Sequence, residues 1–253
     1  MLKKYLSDIA FMQVLNLLVK PVWILVIDRA VQNALSQEIY GNYFALFNFS
    51  LMFFIILDLG LNGYNTTEIS RDTNKIVSFA GSIIGLKILL MILYLIAAFG
   101  VGSLLGYNRL EFNLLLILSI LQIITSFNQY LRSIVSSLQK FKWDGIFMVL
   151  DRVVIISICS VLIWGGISDW ELTINRFVYA QLMGVSLVTI SLVVFLRKQL
   201  SKVSISFQFQ RIVPILKQSW PFALLIMLMG LYNYMDSVML KLLISDEEAG
   251  VYA

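Results

Sequence analysis

The sequence predicts an all-α polytopic membrane bundle, and three observations carry that reading. Hydrophobic residues make up 59% of the 253 and charged residues only 13%, with a mean hydropathy of +0.85, more apolar surface than a soluble domain of this size can cover. Seven apolar stretches are long enough to cross roughly 30 Å of hydrocarbon at about 1.5 Å per residue. The loops between these stretches differ sharply in charge. The chain has no His and one Cys, Cys159, inside an apolar run. Disulfides, His-based acid–base catalysis and the common metal sites are thereby excluded, and no cofactor or catalytic residue is expected. The net charge of +4 reflects loop placement, so no nucleic-acid partner is expected.

The spans fall near residues 9–33, 40–63, 78–104, 112–137, 145–166, 172–196 and 219–243. The basic start Met1-Leu2-Lys3-Lys4 resembles a signal peptide, but Lys20-Pro21 at the centre of the stretch behind it and the lack of a small-residue cleavage site favour a retained helix. One side of the bundle holds Lys3, Lys4, Arg71, Lys75, Lys140, Lys142, Arg197, Lys198, Lys202, Arg211 and Lys217. The other holds Arg29 and Arg109 among Glu38, Glu111, Asp169, Glu171, Asp246, Glu247 and Glu248. Eleven basic residues against two place the N-terminus in the cytoplasm. Trp143, Trp164, Trp170 and Trp220 sit at predicted span ends, as an interfacial belt requires. Ser219-Trp220-Pro221 reads as an N-cap with Pro in the first turn. Val203 to Gln210 alternates strictly and predicts a short extended stretch.

A repeat organises the whole chain. Leu35-Ser36-Gln37-Glu38-Ile39-Tyr40-Gly41-Asn42-Tyr43 returns, gapless and 209 residues later, as Ile244-Ser245-Asp246-Glu247-Glu248-Ala249-Gly250-Val251-Tyr252. Each copy follows a long apolar stretch. Such a repeat in a hydrophobic chain predicts a transporter of two similar lobes. The expected units are a six-helix lobe over 1–200, a cytoplasmic connection over 201–218, and the first helix of a truncated second lobe over 219–253.

Ionisable groups inside spans are costly, about 2.5–3.5 kcal/mol each on insertion scales, so they face a cavity or a partner. Gln13, Asn16 and Lys20 share one face of the first span. Gln122, Thr125, Gln129, Arg132 and Ser136 share one face of the fourth. Lys87 and Arg152 lie at the cytoplasmic third of the bilayer, with Arg132. Together with Lys20 these cations make a funnel for an anionic headgroup, arginine's fork in particular matching phosphate oxygens. The alternatives stay open: Lys20 pairing with a neighbouring acid, polar stripes bonding helix to helix, and Arg152 with Asp151 as an interfacial anchor. Arg176, near a span end, snorkels to the surface. Asp236 on the seventh span is the candidate for proton or sodium coupling, or else neutralises a basic residue. Asp58 reads as a helix-end residue.

The stretch Asp58-Leu59-Gly60-Leu61-Asn62-Gly63-Tyr64-Asn65-Thr66-Thr67-Glu68-Ile69-Ser70-Arg71 resembles the polysaccharide-type (O-antigen and lipid-linked oligosaccharide) flippases of the multidrug/oligosaccharidyl-lipid/polysaccharide exporter superfamily. So do Glu38 to Tyr43 and the stretch from Asp236 through Glu248 to Ala253. The resemblance runs over the whole chain. It implies two six-helix lobes in an inverted V around a cationic cavity, in a bacterial inner membrane, working by alternating access. The implied substrate is an oligosaccharide on a polyprenyl pyrophosphate, with membrane lipids and polysaccharide-assembly proteins as partners. Family members have twelve to fourteen helices, so seven spans correspond to one lobe plus one helix. Three rivals are a cation-coupled multidrug exporter, which needs an acidic cavity, a membrane-embedded glycosyltransferase or polymerase, and a structural or assembly subunit.

Overall fold

Helices α1 to α11 carry the chain in a computed structural model that describes residues 2–72, 75–165, 172–201, 203 and 209–252. No strand occurs among the described residues. α1 (Leu2–Pro21) runs through a π-helical stretch, Val22–Asp28, into α2 (Arg29–Ala34). Pro21 cannot donate to the carbonyl one turn back, and the wider π turns that follow take up the lost register.

α3 (Gln37–Met52) and α4 (Leu61–Arg71) flank a short 3-10 turn, Phe54–Leu57, and are bent by 45°. The span read as 40–63 is therefore a broken one. Leu59 and Gly60 take left-handed φ of 44° and 78°, which no helix interior accommodates. α4 restarts beyond them with the Leu61 amide donating to the Asp58 carbonyl at 2.8 Å.

Four long helices follow: α5 (Lys75–Leu104), α6 (Arg109–Ser137), α7 (Phe141–Trp164) and α8 (Ile174–Phe195). The start of α6 is a capping box. Asn108 Oδ1 accepts the Leu110 and Glu111 amides at 2.9 and 3.0 Å, and Glu111 Oε2 accepts the Asn108 amide at 2.7 Å. After short α9 (Arg197–Leu200) come α10 (Phe209–Leu243) and α11 (Asp246–Tyr252).

By length and composition, five helices among the described residues can cross a membrane, and six if α3 and α4 form one broken span. The chain is an all-α, multi-pass membrane protein. The predicted span 219–243 lies inside the 35-residue α10.

Three local expectations are corrected at that helix. Phe209 and Gln210 are helical rather than extended, while 204–208 lie outside the described residues, as do Asp169, Trp170 and Glu171. Ser219 is an interior residue whose hydroxyl donates to the Leu216 carbonyl at 3.3 Å, the back-bonding available to serine within a helix. Pro221 likewise lies inside α10 rather than in its first turn. The reason is the helical spacing of Ile212, Val213, Leu216 and Trp220, which extends the apolar period upstream of Ser219.

The core divides along the bundle. Near one end, Tyr43, Leu46, Phe49, Leu115, Leu118 and Phe177 interlock; near the other, Leu61, Ile83, Tyr130, Leu131, Ile134 and Leu192 do so. The first end also joins the two repeat copies. Ser36 Oγ accepts the Ile39 amide at 3.3 Å to start α3, and Ser245 Oγ accepts the Glu248 amide at 3.1 Å to start α11. The two helices so begun pack directly on one another.

Candidate functional site

α7 packs against α1 on one side and α8 on the other. Its approach to α1 is close at Gly145, where an added Cβ would stand 3.0 Å from Met12 Cβ. That contact sets Asn16 and Lys20, one and two turns along α1, beside Met148 and Arg152 on α7. α6 and α8 supply the remaining walls. The result is a cavity of about 250 Å³ lined by Asn16 and Lys20, by Thr125, Asn128, Gln129 and Arg132, by Met148, Asp151 and Arg152, and by Val185 and Val188 of α8. Six of the nine residues expected to meet substrate are brought together there.

Their states differ. Lys20 is exposed and has no recorded ion pair among the described residues, which leaves the acid-pairing alternative without a partner. Asn16 donates to the Met12 carbonyl at 3.0 Å and to Met148 Sδ at 2.8 Å. Thr125 back-bonds to the Leu121 carbonyl at 2.8 Å, and Gln129 Oε1 accepts from Asn62 at 3.5 Å. Arg132 Nε lies 2.7 Å from Asp144 Oδ1. Arg152 Nε is 3.8 Å from Asp151 Oδ2, and its guanidinium sits 5.1 Å from the Trp23 ring centre.

Three expected residues stand elsewhere. Gln13 is exposed on α1 and one turn short of the cavity. Gln122 is buried and donates to Ser50 Oγ at 3.2 Å, stitching α6 to α3. Lys87 is corrected from funnel cation to internal tie: its ammonium donates to the Leu57 carbonyl at 3.0 Å and to Ser126 Oγ at 2.9 Å, and lies 3.5 Å from Asp58. With its side chain 7% exposed, that charge is neutralised at the α3–α4 break, and Asp58 is its counter-ion as well as a helix-end residue.

Asp236 is exposed and accepts from the Tyr252 hydroxyl at 3.3 Å. No basic partner is recorded for it among the described residues, so it does not neutralise a cation there.

Three residues that matter to the site, Asn128, Asp144 and Asp151, were not singled out from the sequence. Asn128 ties α6 to α8 through the Val185 carbonyl (3.0 Å) and Thr189 (2.7 Å). Its 3- and 4-residue spacing from Thr125 and Arg132 was the available signal. Asp144 lies in the first turn of α7 and belongs to neither polar stripe. Asp151 was visible only as a neighbour of Arg152. Lys241 belongs to the far end of the bundle, where its ammonium meets Glu111 at 2.6 Å, Asp246 at 2.7 Å and Asn42 at 3.0 Å. Arg132 lies 21 positions beyond Glu111 on α6, roughly 32 Å along the helix axis. The cavity and the Lys241 knot therefore lie toward opposite ends of the bundle. Beside that knot the Tyr107 phenol, in the turn before α6, is pushed up by burial and by Glu111 and Asp246.

Fold and cavity together define a multi-pass α-helical membrane protein with a polar, cation-lined pocket between its helices. Three cations on one cavity, Lys20, Arg132 and Arg152, give it the chemistry to pair with an anion. The polysaccharide biosynthesis protein family matches residues 5–253, almost the whole length, and the chain belongs to that family. No curated protein and no solved structure matches it.

Proposed function

We propose that this chain forms the first lobe, and the first helix of a second, of a transporter that flips polyprenyl-pyrophosphate-linked oligosaccharide from the inner to the outer leaflet of a bacterial plasma membrane. Membership of the polysaccharide biosynthesis family supports a role in making or moving polysaccharide. The observation that carries the finer reading is the convergence of Lys20, Arg132 and Arg152, from three helices, on one cavity. A pyrophosphate cannot enter hydrocarbon unpaired. Two guanidiniums and an ammonium supply the charge it needs, and Asn16, Thr125 and Gln129 supply hydroxyl-compatible partners for the first sugars. About 250 Å³ lies just below the usual range for whole ligands, about 300–1,000 Å³, and suits a headgroup whose lipid tail stays in the bilayer.

The protein acts as a carrier rather than an enzyme in this reading, by alternating access around the site. The basic-side loops set the N-terminus in the cytoplasm. The cavity lies toward that side, since α6 ends and α7 begins there. Coupling by Asp236 has weaker support, because its carboxylate lies off the cavity. A multidrug exporter of the same superfamily is disfavoured by a lining of three cations and one acid.

Lys20→Ala and Arg132→Ala in the full-length gene product test the proposal. Transport of fluorescent lipid-linked oligosaccharide across proteoliposomes should fall at least tenfold in the double variant. Undiminished transport would sink the assignment, and drug export by expressing cells would move it to the rival.

A further inference from the structure

We infer that the two carboxylates beside the cavity arginines have opposite parts in anion binding: Asp144 aims Arg132 at the anion, and Asp151 competes with the anion for Arg152. The inference rests on reading the cavity as a phosphate site, and names two positioning residues for it.

Asp144 has the geometry of a brace. It is buried in the first turn of α7, outside the cavity lining. Its Oδ1 takes Arg132 Nε at 2.7 Å, the short distance of a charge-assisted hydrogen bond. A carboxylate on the Nε edge fixes the plane of the guanidinium while leaving the two terminal nitrogens outside that bond. Those nitrogens form the fork that meets phosphate oxygens in pairs.

Asp151 has the geometry of a placeholder. It lines the cavity itself, and its Oδ1 is pinned by the Arg152 backbone amide at 2.8 Å. Its other oxygen stands 3.8 Å from Arg152 Nε, with the arginine side chain 42% exposed. That is too long for a hydrogen bond. Adjacent residues on a helix do not face one another, so the pair contributes little to holding α7 in the bundle. Arg152 is also steadied from elsewhere, by Trp23. What Asp151 does contribute is a fixed negative charge among Lys20, Arg132 and Arg152. An anion entering at Arg152 must sit beside that charge.

The two roles predict effects of opposite sign, which a structural part for both carboxylates does not. Inorganic pyrophosphate is the probe, titrated by calorimetry into the full-length protein in nanodiscs at low salt. Asp151→Asn should bind it roughly tenfold tighter than wild type, and Asp144→Asn roughly tenfold weaker. Arg132→Lys keeps the charge but not the fork, and carries the same expectation of weaker binding should Asp144→Asn fail to fold. Asp151→Asn binding no tighter than wild type overturns the competing role. Asp144→Asn or Arg132→Lys binding as tight as wild type overturns the aiming role. A wild type that binds no pyrophosphate overturns the phosphate reading of the cavity along with both.

Discussion

Gly41 and Gly250 are 209 positions apart in the chain and meet face to face where α3 packs on α11. A Cβ added at Gly41 would overlap the Asp246 carbonyl oxygen, and one added at Gly250 would overlap the Gln37 carbonyl oxygen. Gln37 and Asp246 are themselves repeat equivalents. The contact is therefore reciprocal, each copy of the turn pressing its glycine on the same atom of the other, as residues do across a two-fold axis. Gly41→Ala should lower the thermal midpoint of the purified protein by the equivalent of about 1–3 kcal/mol, as overpacking does. Gly63→Ala, where nothing stands within 4 Å, should leave it unchanged or slightly raised. Equal midpoints for the two variants would refute the close contact.

Lys241 holds the same end together electrostatically, with its side chain 6% exposed between Glu111 and Asp246. Replacing it with Met leaves two carboxylates facing each other without a cation, one of them buried, a change that costs about 3–5 kcal/mol in comparable sites. The consequence should be local before it is global. Hydrogen exchange of the α11 amides, Asp246–Tyr252, should quicken well ahead of those in α6 and α8. Unaltered protection of α11 would show that the knot does not hold it.

The Lys87–Asp58 pair makes a different prediction from the cavity cations. Lys87→Met strands Asp58 at the α3–α4 break and should destabilise by roughly 3–5 kcal/mol. Adding Asp58→Leu should restore most of that loss. Pyrophosphate affinity of the restored double variant should match wild type. A loss of affinity comparable with that of Lys20→Ala would return Lys87 to the site.

Along α6, position decides role. Gln122→Leu removes one interhelical bond to Ser50, worth about 0.6 kcal/mol by the average for such contacts, and should leave transport intact. Gln129→Ala should leave the thermal midpoint nearly unchanged and slow transport. A single pattern for both variants would contradict the placement of either.

Much of this site was legible as helix faces. Lys20 with Asn16, and Arg132 with Gln129 and Thr125, were each found by spacing alone, because a helix presents residues three and four apart on one side. Gln122 continues the second stripe one turn before Thr125, yet belongs to the core. Nothing in its own sequence says that α3 covers that part of α6 and α1 does not. The same limit hid the Lys87–Asp58 pair, which forms across a backbone break of 45° rather than along a helix. The start of α10 was misplaced because Ser219 and Pro221 imitate a cap, while the apolar period already runs upstream of them. The repeat announced two like turns through Ser36, Gly41, Ser245 and Gly250. That they pack against each other follows only from the assembled fold.

The most direct measurement is photocross-linking of lipid-linked oligosaccharide to single positions of the full-length protein in membranes. Photoreactive side chains at Thr125 and Gln129 should capture the oligosaccharide, and ones at Gln122 and Lys87 should not. Labelling at Gln122 or Lys87 with none at Thr125 or Gln129 would contradict the cavity as the site of passage.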